Sequence, residues 1–121
     1  MTIERFEELF EEVVADLGRR LTSKNIEYAR GNDKLHNFKV AARVKGESPE
    51  RALYGMEMKH RVSIMDMTDD LDRGKLPTKA LIDEKFGDEI AYLILWKMLF
   101  LERLENEERF WQMGVIEPPA E

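Results

Sequence analysis

Apolar residues recur along this chain at steps of three and four with polar residues between them, and that period belongs to helices. The first run is Phe6, Leu9, Phe10, Val13, Leu17 and Leu21. Thr2 can accept from the open N–H groups of the first turn, and Glu4 suits the positive end of the helix dipole. The pattern predicts a helix that runs past Tyr28 and stops at Gly31-Asn32-Asp33. Asp33 can cap a short second helix carrying Leu35, Phe38, Ala42 and Val44, ended by Gly46. Ser48-Pro49-Glu50 is a start signal made of a capping hydroxyl, a proline at the first helical position and an acid. A third helix runs from there to Arg73, with Gly74 just beyond it. A fourth begins at Thr78 or Lys79 and extends to about Arg109. No period-two strand pattern or internal repeat interrupts this order. The prediction is an all-α, compact bundle of about four helices. It forms a single domain over 1–113, with a flexible, frayed tail at 114–121 that contains Pro118-Pro119.

The third helix has three faces. Leu53, Met56, His60, Ile64, Met67 and Leu71 share one side, the expected core stripe. Lys59, Ser63, Asp66 and Asp70 form a polar stripe beside it. Met58, Val62 and Met65 form an apolar patch opposite the core. The fourth helix is apolar on nearly every side from Ile90 to Leu101. Four helices cannot bury that much surface alone, so the pattern predicts a homo-oligomer joined through the third and fourth helices.

Composition narrows the function classes. A chain of 121 residues that is 43% hydrophobic can bury a core without disulfides. The absence of cysteine removes thiolate metal sites and cysteine nucleophiles, and suits a reducing cytoplasm. The net charge of −6 argues against bulk nucleic-acid binding. The N-terminus lacks a basic segment followed by an apolar run, and the most apolar stretch contains Lys97 and is too short to span a bilayer, so no membrane partner is expected.

The candidate chemistry lies in acid pairs. Asp66 with Asp70, and Glu84 with Asp88, are each spaced by four residues, which puts both carboxylates on one helix face about 5–6 Å apart. A turn containing Pro77 would lay the two helices antiparallel, so the pairs could face each other across a groove. Four converging carboxylates without cysteine suit a hard cation, Mg²⁺ or Mn²⁺. The alternative is a pair of solvated acidic faces balanced by Lys59, Arg73, Lys79 and Lys85. Lys59 is either a phosphate contact or an ordinary ion-pair partner. His60, on the apolar face, is either a satisfied core residue or a ligand. Tyr92, one turn beyond Asp88, could pack its ring and reach the groove with its hydroxyl.

A second cluster spans Lys24 to Phe38. The amides after Asp33, with Lys34 nearby, could hold an anion at a helix N-terminus. Asn37 could read a base or ribose through its paired donor and acceptor. Glu27 is a further possible metal ligand or water-orienting base. A capped polar connection between helices explains the same residues.

These positions carry a resemblance. Lys24-Asn25-x-Glu27-Tyr28-Ala29, Asn37-Phe38, Met56-x-x-Lys59-His60-x-x-Ser63-Ile64-x-Asp66 and Glu84-Lys85-x-Gly87-Asp88-x-x-x-Tyr92-Leu93 together span most of residues 10 to 104. They resemble small helical phage-encoded proteins described as nucleotide-modification-associated or MazG-like domains. The last motif is similar to part of the signature of the all-α nucleoside triphosphate pyrophosphohydrolases. That superfamily assembles as dimers or tetramers and uses carboxylates from adjacent helices to hold Mg²⁺ while releasing pyrophosphate from nucleoside triphosphates. The resemblance implies a nucleotide ligand, metal at Asp66, Asp70, Glu84 and Asp88, and catalysis by Asp66, Glu84, Asp88 and Lys59. It further implies substrate contacts from Lys24, Glu27, Tyr28, Lys34, Asn37, Phe38, His60, Ser63 and Tyr92, in the cytoplasm of a phage-infected bacterial host. The superfamily's acid pairs have two intervening residues, whereas both pairs here have three. Two readings follow: a Mg²⁺-dependent nucleotide pyrophosphohydrolase, or a non-catalytic nucleotide-binding oligomer that acts as a sponge or regulatory subunit.

Overall fold

The computed structural model describes the backbone of residues 1–28, 30–114, 117 and 120, and the side chains of the same residues except 23–28. Among these are four α-helices: α1 (Ile3–Tyr28), α2 (His36–Lys45), α3 (Pro49–Asp72) and α4 (Lys79–Gln112). The described residues form no strand, only an isolated bridge between Arg30 and Asp33. No helix among them is long and apolar enough to cross a membrane. The expected tail falls largely outside the described residues.

Helix starts follow the expected capping chemistry at three places. Thr2 Oγ1 accepts from Arg5 N at 3.1 Å, Ser48 Oγ from Arg51 N at 3.2 Å, and Thr78 Oγ1 from Leu81 N at 3.2 Å. The start of α2 differs. Leu35 is its N-cap and offers no side-chain acceptor, while Asp33 lies two residues earlier. Asp33 Oδ1 accepts from Leu35 N at 3.0 Å, and its other oxygen receives Lys39 Nζ at 2.8 Å. That lysine also donates to Glu102 on α4. Asp33 therefore shapes the turn and ties it to the bundle instead of capping the helix. α2 and α3 both end before a glycine with positive φ, Gly46 at 69° and Gly74 at 81°. After Gly74 the chain doubles back, with Lys75 N donating to Asp70 O at 2.9 Å.

α3 and α4 pack antiparallel as the main helix pair, α2 lies on α3, and α1 lies on α4. The pairing register is marked at one end by Glu50 with Arg103 and nearer the turn by Arg61 with Glu89. α1 runs parallel to the first half of α4: Glu12 is beside Lys79, and Arg20 is beside Asp88. Leu35, Phe38, Leu53, Tyr92, Leu95 and Leu99 form the core, with Leu21, Met56 and Trp96 against it. Each fully buried side chain of this size contributes about 1.5–3 kcal/mol. Ala42, Ala52 and Ala91 are buried where the helices come close. The predicted core stripe of α3 is met at Leu53 and Met67, but Leu71 near the turn is exposed. The reason is positional, since the short α2 does not reach the last turn of α3.

Candidate functional site

The structure gathers polar groups at two layers of the bundle, on different sides of α4. The first is built on Arg20. Asp16, one turn earlier on α1, accepts from Arg20 Nε at 2.7 Å. Arg20 then crosses to α4, donating from Nη1 to Asp88 Oδ1 at 3.1 Å and from Nη2 to the Asp83 carbonyl at 2.9 Å. The hydrogen bond that Arg20 donates to Asp16 raises the guanidinium's already high pKa, against the effect of burial. Gly87 makes the crossing possible. A Cβ at that position would overlap Arg20 Nε and Cζ, so only glycine lets the guanidinium lie on the α4 backbone. On the far side of Asp88, His60 Nδ1 is 3.8 Å from Oδ2. The imidazole packs on Tyr92 at 4.7 Å between ring centroids, and Tyr92 meets Phe38 edge-on at 6.1 Å.

The second layer joins α3 to α4. Glu57 is fully buried and Glu89 nearly so. Arg61, one turn after Glu57, donates from Nε to Glu57 Oε1 at 3.0 Å and lies 3.6 Å from Glu89 Oε1. The carboxyls of Glu57 and Glu89 are within hydrogen-bonding range of each other, and the Oε2 atom of each has no donor. Burial raises the Glu89 carboxyl to about 7, the Glu57 carboxyl adds to the effect, and Arg61 opposes it. Burial beside a second acid therefore favours the protonated form of Glu89.

Beside the first layer, a groove of about 730 Å³ opens between α1 and α4. Leu9, Val13, Leu17, Ile82, Phe86 and Ile90 line it, with Arg19 and Lys79 among its charged residues. A smaller recess of about 300 Å³ lies between α3 and α4 beside Tyr54, Trp96 and Phe100.

The predicted site residues are divided by this arrangement. Asp88, His60, Tyr92 and Phe38 come together, but as a packed polar-to-apolar gradient. Phe38 is completely buried, so its ring serves the core and presents no surface to a base. Asp66 and Lys59 are exposed on α3, Asp70 is half-buried, and Ser63 donates to the Lys59 carbonyl at 3.0 Å. Glu84 is exposed, with Lys85 3.7 Å away. The expected convergence of Asp66, Asp70, Glu84 and Asp88 is not found: among the described residues no group of three or more His, Asp or Glu side chains is placed to hold a metal ion. The rotation of α4 explains this, since it turns Asp88 toward Arg20 and leaves Glu84 facing solvent. Lys34 is exposed and Asn37 half-buried at the start of α2. Lys24, Glu27 and Tyr28 lie outside the residues whose side chains are described.

Pattern reasoning missed Arg20, Gly87, Glu57, Arg61 and Glu89, although signals were present. Ile3, Phe6, Phe10, Val13 and Leu17 alternate three- and four-residue steps, and the next position in that series is Arg20. Glu57 lies only about 40° around α3 from Leu53, inside the apolar arc. No known protein family, no curated protein and no solved structure matches the chain.

Proposed function

We propose that this chain is a non-catalytic nucleotide-binding protein that works as a homo-oligomer. The ligand class rests on the sequence resemblance. The observation that favours binding over cleavage is the engagement of Asp88 by Arg20 at 3.1 Å. A carboxylate already paired with a guanidinium is a poor ligand for Mg²⁺ or Mn²⁺, because the metal would have to displace a charge-assisted hydrogen bond. Exposed Lys59 and Lys34 offer charge for phosphates. Self-association through α3 and α4 belongs to this reading, supported by exposed Val62 and Met65 on α3 and Leu93 and Phe100 on α4. The cysteine-free composition suits the bacterial cytoplasm as its compartment.

Calorimetric titration with a panel of nucleoside mono-, di- and triphosphates, with Mg²⁺ or with a chelator, tests the proposal. Binding of at least one nucleotide is expected in both conditions, without release of pyrophosphate. Asp66→Asn and Asp88→Asn should leave the affinity within about threefold. Release of pyrophosphate that requires Mg²⁺ and is lost in Asp88→Asn would establish the pyrophosphohydrolase instead. Failure of every nucleotide to bind would remove both readings.

A further inference from the structure

The recess between α3 and α4 is walled by aromatic rings. Tyr54 and Trp96 lie 5.5 Å apart between centroids, tilted by 45°, and Phe100, which also lines the recess, is 61% exposed. A volume of about 300 Å³ is at the low end for small-molecule sites, enough for one ring system with its substituents outside. The indole Nε1 of Trp96 is enclosed and has no acceptor among the described residues. An enclosed donor in that state is costly, and an acceptor on a bound ring would recover the loss.

Charge at the recess is one-sided. Glu50, the only acid in its wall, is neutralised by Arg103, which donates to both of its oxygens. The other charged group in the wall is Arg51, exposed and without an acid partner among the described residues. Helix geometry extends that cation into a row. Gly55 and Lys59 follow Arg51 at four-residue steps on one side of α3, which sets Arg51 and Lys59 about 12 Å apart along the axis. The place left open at Gly55 is taken from α2. Lys45 Nζ lies 3.9 Å from where a Gly55 Cβ would stand, and its contact with Glu47 is loose, also 3.9 Å. Lys59 is exposed and has no acid partner among the described residues. Between Glu50 and Glu57 the helix carries no acid, and Glu57 is buried against Arg61.

An aromatic recess beside three cations complements a planar ring that carries several negative charges on a flexible arm. An inorganic anion would leave the rings unused, and an uncharged aromatic would leave the cations unused. We infer that the recess is a base subsite and that Arg51, Lys45 and Lys59 form the phosphate track of a nucleoside triphosphate. The base lies against Tyr54 and Trp96, and the phosphates pass Arg51 toward Lys45 and Lys59. That the ring is a base rests on the nucleotide reading above, whereas its place rests on the recess and the cation row. Trp96 is eight residues beyond Asp88, about 12 Å along α4, so this site is separate from the Arg20 layer.

Calorimetry tests the placement with ATP, GTP, CTP, UTP and their deoxy counterparts, and with the monophosphate and free nucleoside of the tightest binder. Affinity should fall from triphosphate to monophosphate to nucleoside. Tyr54→Ala and Arg51→Gln should each weaken the triphosphate about tenfold or more, with an unchanged thermal transition in circular dichroism because both side chains are exposed. Lys59→Gln should weaken the triphosphate about threefold and leave the monophosphate within about twofold. Trp111→Phe leaves Trp96 as the single indole, and its emission should be quenched at saturation. Full affinity in both Tyr54→Ala and Arg51→Gln, or unquenched Trp96 emission at saturation, would overturn the placement while leaving the nucleotide reading intact. Failure of every nucleotide to bind the wild type would remove that reading and the placement together.

Discussion

Asp88 and Glu89 are neighbours in sequence, yet α4 turns them into opposite charge environments. Asp88 meets the Arg20 guanidinium, delivered by another helix and backed by Asp16. Glu89 meets a second buried acid, Glu57, and both depend on Arg61, whose side chain is half exposed. One guanidinium serves two acids in each layer, so the number of cations does not separate them. What differs is the deeper burial of Glu89 and the second buried acid, Glu57, against it. One layer is an ion pair that links α1 to α4, and the other links α3 to α4 through a buried acid, Glu89, that favours its protonated form. A helical bundle can thus hold charge by pairing it or by neutralising it, and the choice is made within one residue step.

The largest expected effect comes from pH, because it acts on the second layer. Glu89 holds its proton up to about 7 when folded, against an ordinary value of 4.5. The folded chain therefore binds more protons than the unfolded chain between these values. Its contribution is fully present below about 4.5 and is lost as pH rises through 7, amounting to as much as about 3 kcal/mol. Urea unfolding at pH 5, 7 and 8.5 should show this fall, and Glu89→Gln should flatten it. Equal wild-type stability across the three would refute the raised pKa of Glu89. Asp33 and Glu50 are both held below their ordinary values, Asp33 chiefly by its bond from Lys39 and Glu50 by Arg103 against an opposing burial effect, so they act only at more acidic pH.

Breaking the first layer should cost less. Arg20→Met removes the cation shared by Asp16 and Asp88, with a loss of about 2 kcal/mol because both partners remain partly hydrated. Hydrogen exchange should speed up mainly in α1, whereas loss of protection centred on α3 would contradict the assignment of Arg20 as the link between α1 and α4. Gly87→Ala sharpens the same point. In the wild type the new methyl displaces the guanidinium, at a cost of about 1 kcal/mol after the gain in helix propensity. In the Arg20→Met background the sign should reverse, and additive effects in this double-mutant cycle would show that Gly87 is not there for Arg20. The smallest effect belongs to Arg103→Ala. Arg103 grips Glu50 through two bonds of 2.8 and 2.7 Å, but on an exposed face, and its removal should cost about 0.5 kcal/mol in thermal unfolding.

Much of the helical plan could be read from local signals. Thr2, Ser48 and Thr78 cap as their chemistry requires, and Gly46 and Gly74 stop helices through a backbone conformation that other residues rarely adopt. The start of α2 was read less well, because Asp33 serves Lys39 across a turn and that partnership is not local. The acid spacing of Asp66 with Asp70 and Glu84 with Asp88 could be read as two shared faces. Their meeting could not, because it requires a helix rotation set by packing.

The sequence by itself therefore determined the helices, their ends and the apolar seam of α1, since each depends on side chains within one or two turns. Only the tertiary structure decided the fate of the acids. Whether a carboxylate finds a cation depends on residues such as Arg20 and Asp88, separated by 68 positions. Their encounter is governed by the register of α1 along α4 and by the space left at Gly87. Glu57 and Glu89 show the same dependence from the other side, as charged residues in sequence that the bundle buries together around Arg61.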